Sequence, residues 1–161
     1  MELQAGFFMK LSKKGEYALK ALVELAIDYD KGEPVTLINS VAERKGIPQK
    51  YLEQILLNLK NDGILVSKRG VGGGYTLSRA PEKISLGQII RAVEGPIAPV
   101  NCVSVSAHVS CPDESSCGLY SVMLEVRNAV AAVLDNTSLR DVAQRTLDLI
   151  DKKNRVLNYA I

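Results

Sequence analysis

One histidine, three cysteines and a net charge of +2 are thin material for several functions, and each shortage narrows the reading. With His108 as the only imidazole and no nucleophile set beside a general base, no credible catalytic constellation is present, and we expect no enzyme. No stretch approaches the ~18 apolar residues that a membrane span needs. The opening MELQAGFFMK is short in apolar length and lacks a small-residue cleavage site, so no export signal is expected. Three cysteines without such a signal make a disulfide scaffold a poor reading, and a reduced cytoplasmic setting fits better. The charge does not mark a nucleic-acid binder by its size, but it is uneven. Residues 1–95 carry 14 Lys+Arg against 11 Asp+Glu, net +3, and residues 96–161 carry 6 against 7, net −1.

What is present has a clear order. From Ser12, Ala18, Ala21, Leu22, Leu25, Ala26 and Tyr29 recur at helical spacing, and Leu19, Val23 and Ile27 form a second apolar row. This predicts a helix covered on two sides and ended by Gly32-Glu33-Pro34. Thr36 is read as the cap of a short helix through Arg44, followed by a tight break at Gly46-Ile47-Pro48. A third helix is predicted from Pro48, with Pro in its first turn and Leu52, Ile55, Leu56 and Leu59 as its buried stripe. Ile64–Lys68 and Tyr75–Ser78 read as strands joined by the tip Arg69-Gly70-Val71-Gly72-Gly73-Gly74. Ser85 with Gln88 forms a capping box for a helix to Glu94. Gly95–Ser116 shows no helical period. A longer helix follows with Leu119, Val122, Met123, Val126, Val130 and Val133 along one edge. Ser138 with Asp141 caps a last helix ending near Ile150, and the tail after Lys152 is expected to be loose.

Helix, short helix, tight turn, helix and hairpin is the order of a winged helix-turn-helix. The expected fold is therefore mainly α with a small β-hairpin wing. The expected divisions are residues 9–95 for DNA binding, 96–117 for the cysteine loop and 118–150 for a dimerisation helix plus C-terminal helix. Residues 1–8 and 151–161 would be flexible ends. Opposite its buried stripe the third helix offers Gln49, Lys50, Tyr51, Glu53 and Gln54. Gln can pair with adenine, Glu can accept from the cytosine amino group, and Tyr and Lys suit phosphates. Lys68 and Arg69 lie at the wing, where Arg suits a narrow minor groove, and glycines such as Gly70 and Gly72 let the backbone come close. Such a face is more often merely solvated, and the glycine run could suggest a phosphate loop. That second reading fails because a strand rather than a helix follows, with no Gly-Lys-Ser/Thr. The conjunction of elements favours double-stranded DNA as partner. Two-fold symmetry would match a palindromic operator, and the apolar edge from Leu119 to Val133 suits a homodimer, although it could instead pack within its own subunit.

Cys102, Cys111 and Cys117 occupy one stretch with eight and five residues between them. Soft thiolates suit zinc, copper(I) or an iron–sulfur cluster, and three leave a tetrahedral site one ligand short. The chemistry leaves open a cluster, zinc, a thiol switch or incidental cysteines.

The segments MKLSKKGEYALKAL from Met9, IPQKYLEQIL from Ile47, RGVGGGYTL from Arg69 and ISLGQIIRAVEG from Ile84 together resemble the IscR, NsrR, RirA and CymR family of bacterial winged-helix regulators, the Rrf-two family. The resemblance runs from about Met9 to Ile150. It implies a homodimer on palindromic operators, with Gln49, Tyr51, Glu53 and Gln54 facing bases or phosphates and Arg69 in the minor groove. It also implies that Lys10, Ser12 and Lys13 approach the backbone. Met9 matches the usual family start, so residues 1–8 would be an extension or reflect the choice of start site. Cluster-sensing members carry three cysteines in this loop, so the resemblance implies that Cys102, Cys111 and Cys117 hold an iron–sulfur cluster, 2Fe–2S in preference to 4Fe–4S. CymR-like members lack the triad and work through a protein partner, which keeps a cluster-free regulator as the alternative. Where IscR-like members place a histidine as fourth ligand, this chain has Tyr120. Redox-sensing members use a carboxylate of the opening helix, here Glu16, and His108 in the loop is the other candidate. Glu16 also has an ordinary role, since an acid in a first turn favours the helix dipole.

Overall fold

The computed structural model describes residues 10–33, 35–70 and 72–159, with side chains of the last helix described to residue 156. Six helices and one hairpin follow in the order α1 (Lys13–Asp30), α2 (Ile38–Lys45), α3 (Gln49–Asn61), β1 (Leu65–Lys68), β2 (Gly74–Leu77), α4 (Leu86–Glu94), α5 (Gly118–Asp135) and α6 (Leu139–Tyr159). This is the mainly helical, winged architecture that the element order predicts. The expected N-terminal extension, Pro34 and Val71 lie outside the described residues.

Helix α1 is the centre of the molecule. Ser12 caps it by accepting from the Gly15 N–H at 3.0 Å. Ala18, Ala21, Leu22 and Ala26 are wholly buried; of the second row Val23 and Ile27 are buried and Leu19 half-buried, while Tyr29, at the end of the first row, is exposed. The small alanines let α2, α3, α4, α6 and the hairpin crowd around one axis. From α3 come Leu52, Ile55, Leu56 and Leu59, all essentially buried, as the stripe predicts. Each such leucine contributes about 1.5–3 kcal/mol through removal from water.

The break before α3 is built by Gly46, whose φ of +62° ends α2 in a left-handed turn. Pro48 is the residue before α3 rather than its first turn. A second correction concerns Thr36. It caps no helix; α2 starts after Leu37 without a side-chain cap. Thr36 instead pairs its backbone with Tyr75 through N···O contacts of 2.8 and 3.0 Å, and its hydroxyl donates to Asp28 at 2.9 Å. A β-capable residue beside an open strand edge gains more from that pairing than from a cap. It ties the hairpin to the entrance of α2.

β1 and β2 pair antiparallel with Leu65 opposite Leu77 and Lys68 opposite Gly74. The glycines serve packing as well as the turn. A Cβ on Gly74 would lie 2.3 Å from the Thr36 carbonyl oxygen, and one on Gly73 2.4 Å from that of Lys68.

Ser85 closes the predicted capping box with Gln88 at the start of α4. The Ser138 hydroxyl accepts from the Asp141 N–H at 3.1 Å while Asp141 accepts from the Ser138 N–H at 2.8 Å, as expected for α6. The reading of α6 as ending near Ile150 with a loose tail is wrong: the helix runs to Tyr159. Nothing between Asp151 and Tyr159 breaks a helix, since that segment has no Gly or Pro. Leu139 and Ala143 of α6 are buried in the same core as α1. Arg140 adds an ion pair to Asp30 at 2.6 Å. No helix among the described residues is long and apolar enough to cross a membrane.

Candidate nucleic-acid interface and cysteine loop

The face of α3 opposite its buried stripe is exposed from Gln49 to Asn58, as its periodicity requires. Gln49 donates to the Glu53 carboxylate at 3.1 Å, one turn along, so the two side chains orient each other. Lys50 and Gln54 are exposed beside them. Tyr51 is 37% exposed and packs edge-on against Tyr17 of α1, with ring centroids 5.9 Å apart at 79°. The Lys13 ammonium stands 6.0 Å from the Tyr17 ring centroid. One aromatic pair thereby joins the start of α1, with Lys10 and Lys13, to the start of α3. Ser12 is already occupied: besides capping α1 it donates to the Glu94 carboxylate.

Behind this surface, Glu24 of α1 is 7% exposed and takes Arg44 at 2.9 Å and Lys45 at 2.7 Å. Arg44 also reaches Asp28 at 3.3 Å. These two basic residues in the last turn of α2 clamp α2 to α1, and so set the angle at which α3 is presented. At the wing, Lys68, Arg69 and Gly70 are exposed. Gly70 and Gly72 take φ values of +102° and +75°, which only glycine adopts without strain. Lys10, Lys13, Lys50, Lys68 and Arg69 are all exposed, Lys13 as the partner of Glu16.

The cysteine stretch is an open loop with two short 3-10 turns, Asn101–Val103 and Glu114–Ser116. All three thiols are free; Cys111 is exposed, and Cys102 and Cys117 are half-buried. Cys117 directly precedes α5. His108 pairs with Glu114 at 3.2 Å, and Glu114 also accepts from the Cys111 N–H at 3.4 Å. Glu16 lies between Lys13 at 2.8 Å and Lys20 at 2.7 Å. Hydrogen bonds from Lys13 and then Lys20 pull its carboxyl down to about 2, and the same contact raises the Lys13 ammonium. Among the described residues no three His, Cys, Asp or Glu side chains converge as a metal site. The donors suit a soft metal in kind, and their positions do not gather them.

Comparison with known proteins settles the class. The family model described as "Rrf2: Iron-dependent Transcriptional regulator" matches residues 11–145. This chain belongs to the Rrf2 family. It is 40% identical over 136 residues to an rrf2-like HTH-type regulator of Rhodobacter capsulatus, covering 82% of this chain and 91% of that one. The solved structure of CymR, the global cysteine regulator of B. subtilis, superposes with a TM-score of 0.71 at 37% identity, covering 86% of this chain and 98% of CymR. That of T. potens IscR gives 0.67 at 34% identity, covering 85% and 88%. As an Rrf2 protein the chain is a DNA-binding transcriptional regulator and not an enzyme.

Sequence reasoning missed two members of the candidate interface of this Rrf2 protein and one residue behind it. Tyr17 looks like one more helical residue until α3 is laid beside it. Leu57, 47% exposed next to Gln54, has the periodicity of a surface position and no other mark. Glu24 is a charge inside an apolar row, which was the available signal for a buried ion pair.

Proposed function

We propose that this Rrf2 regulator acts as a cytoplasmic homodimer that reads a palindromic operator through α3 and the wing, and that Cys102, Cys111 and Cys117 hold an iron–sulfur cluster, 2Fe–2S in preference to 4Fe–4S. The observation that carries the DNA reading is the exposed polar face of α3 from Gln49 to Asn58, with Lys13 brought beside its start through Tyr17–Tyr51 and with Lys68 and Arg69 exposed at the wing. Gln49, Glu53 and Gln54 suit base edges, and Leu57 suits a thymine methyl. Lys10, Lys13, Lys68, Gly70 and Gly72 would serve the sugar-phosphate backbone, and Ser12 would join them only by exchanging its Glu94 partner for a phosphate. The dimer reading rests on α5, which has no buried residue although Leu119, Val122, Val126, Ala129 and Val133 fall at alternating three- and four-residue steps.

For the cluster, three free soft thiols in one open loop supply the donor type, and Glu16, ionised throughout the physiological range, is the candidate fourth ligand from the other subunit's α1. When bound, the cluster would supply a centre that responds to oxidation, nitric oxide or loss of iron. A cluster-free regulator is the second reading. Free, reachable thiols equally allow a thiol switch or a docked protein partner, and the similar CymR is a cysteine regulator.

The test is purification without oxygen, followed by an absorption spectrum, iron and sulfide analysis and operator-binding measurement. We expect visible charge-transfer bands with matching iron and sulfide, lost in Cys111→Ser. We also expect steeply salt-dependent operator binding, with sequence selectivity lost in a Gln54→Ala, Arg69→Ala variant that stays dimeric. A protein colourless even after reconstitution would remove the cluster and leave the DNA reading standing. Unchanged operator selection by the double variant would remove the reading surface.

A further inference from the structure

The apolar stripe of α5 runs through Val122, Val126 and Val133. At 3.6 residues per turn, Arg127, Ala131 and Asp135 run along nearly the opposite side of the same helix. That back face walls a cleft of about 560 Å³, completed by α4 and by the segment that includes Val105 and Ser106. Such a volume lies within the usual range of small-molecule sites, roughly 300–1,000 Å³. Pairing through the stripe leaves this side of the helix uncovered.

The polar lining is unequally satisfied. Arg91 gives its two terminal nitrogens to Asp135 at 2.6 and 2.9 Å, a two-pronged pair that holds Asp135 below the ordinary carboxylate range. Gln88 is used by the Ser85 capping box and by Arg79. Arg127 is the exception, since its Nε is buried with no hydrogen-bond partner among the described residues. A buried donor left unmade is costly, and charged donors more so. Charge bookkeeping agrees with the geometry: Arg91 and Asp135 cancel, leaving the cleft with the single positive charge of Arg127.

We propose that this cleft binds a small organic mono-anion, a monocarboxylate, held by Arg127. The guanidinium fork matches a planar carboxylate with two parallel N–H donors. A single net charge calls for a mono-anion, and the space beyond Arg127 takes an organic body, with the Ser106 hydroxyl and the Val105 side chain beside it. The occupant would sit between α5 and the segment that follows Cys102. It would therefore bias the position of the cysteine loop without touching a thiol. This site requires neither the operator nor the cluster.

The test is calorimetric titration of the purified full chain with acetate, butyrate, lactate and succinate, against sodium chloride at matched ionic strength, with melting temperature followed in parallel. Saturable binding of at least one monocarboxylate is expected, with a raised melting temperature. The affinity should fall roughly tenfold or more in Arg127→Met, as loss of a charge-assisted pair implies. Arg127→Lys, which keeps the charge and loses the fork, should fall between, and it serves as the test variant should the circular dichroism of Arg127→Met differ from wild type. No binding by any monocarboxylate, equal stabilisation by chloride, preference for succinate, or undiminished binding by these variants would each overturn the assignment.

Discussion

Helices α1 and α5 have the same length, eighteen residues, and opposite surroundings. α1 has seven charged residues and α5 only three, so composition would put α5 in the core. The reverse holds: nine residues of α1 are buried and none of α5. α1 alternates its charges with two apolar rows and has neighbours on every side, including α6 returning from the far end of the chain. α5 lies against α4 and the cysteine loop with one face only. Hydrophobicity therefore states what a helix needs, and the neighbours in the fold state whether one chain can supply it.

The largest expected effect tests the α1 half of this contrast. Leu22→Ala removes a wholly buried side chain and should cost about 2–5 kcal/mol in urea unfolding, independent of protein concentration. Val133→Ala, at a position 65% exposed, should cost under about 0.5 kcal/mol at dilutions where chains are separate. Equal losses at all concentrations would erase the distinction. Next, Val122→Asp places a carboxylate in the proposed seam of α5. Sedimentation should show a monomer with unchanged far-ultraviolet circular dichroism and with operator affinity reduced by roughly tenfold or more, since one reading head has lost its twin. A variant that stays dimeric would move the interface elsewhere.

The smallest effect lies at the helix starts, where the two ends of the chain are alike. Glu16 near the start of α1 is held at about 2 by Lys13 and Lys20. Asp141 at the start of α6 is lowered by the Ser138 hydroxyl and then by its backbone N–H. A carboxylate lowered by folding stabilises above its unfolded pKa, and that contribution fades as pH falls through the folded value. Both groups are open to solvent, so each loss should be slight and further reduced by salt; for Glu16 it falls between about 4.3, the ordinary Glu value, and about 2. Carboxyl NMR should give Glu16 a midpoint near 2, raised in Lys13→Met. A midpoint in the ordinary glutamate range for the wild type would mean that the two lysine pairs do not form in solution.

By itself the sequence determined where the helices lie, the caps at Ser85 and Ser138, the buried stripe of α3 and the glycine turn of the wing. Each of these is written within one or two turns of chain, as a period of 3.6, a hydroxyl three residues before a free N–H, or a residue type required by positive φ. The exposed candidates on α3 were legible for the same reason, as the complement of that stripe. Tertiary structure alone decided that Thr36 serves a strand edge, that Tyr17 meets Tyr51, that α6 packs on α1, and that the Arg127 Nε finds no hydrogen-bond partner among the described residues while Arg91 has Asp135. It also decided that three cysteines close in sequence are not gathered in space. These outcomes depend on which distant residue arrives at a given edge or cleft, and a local pattern has no term for that.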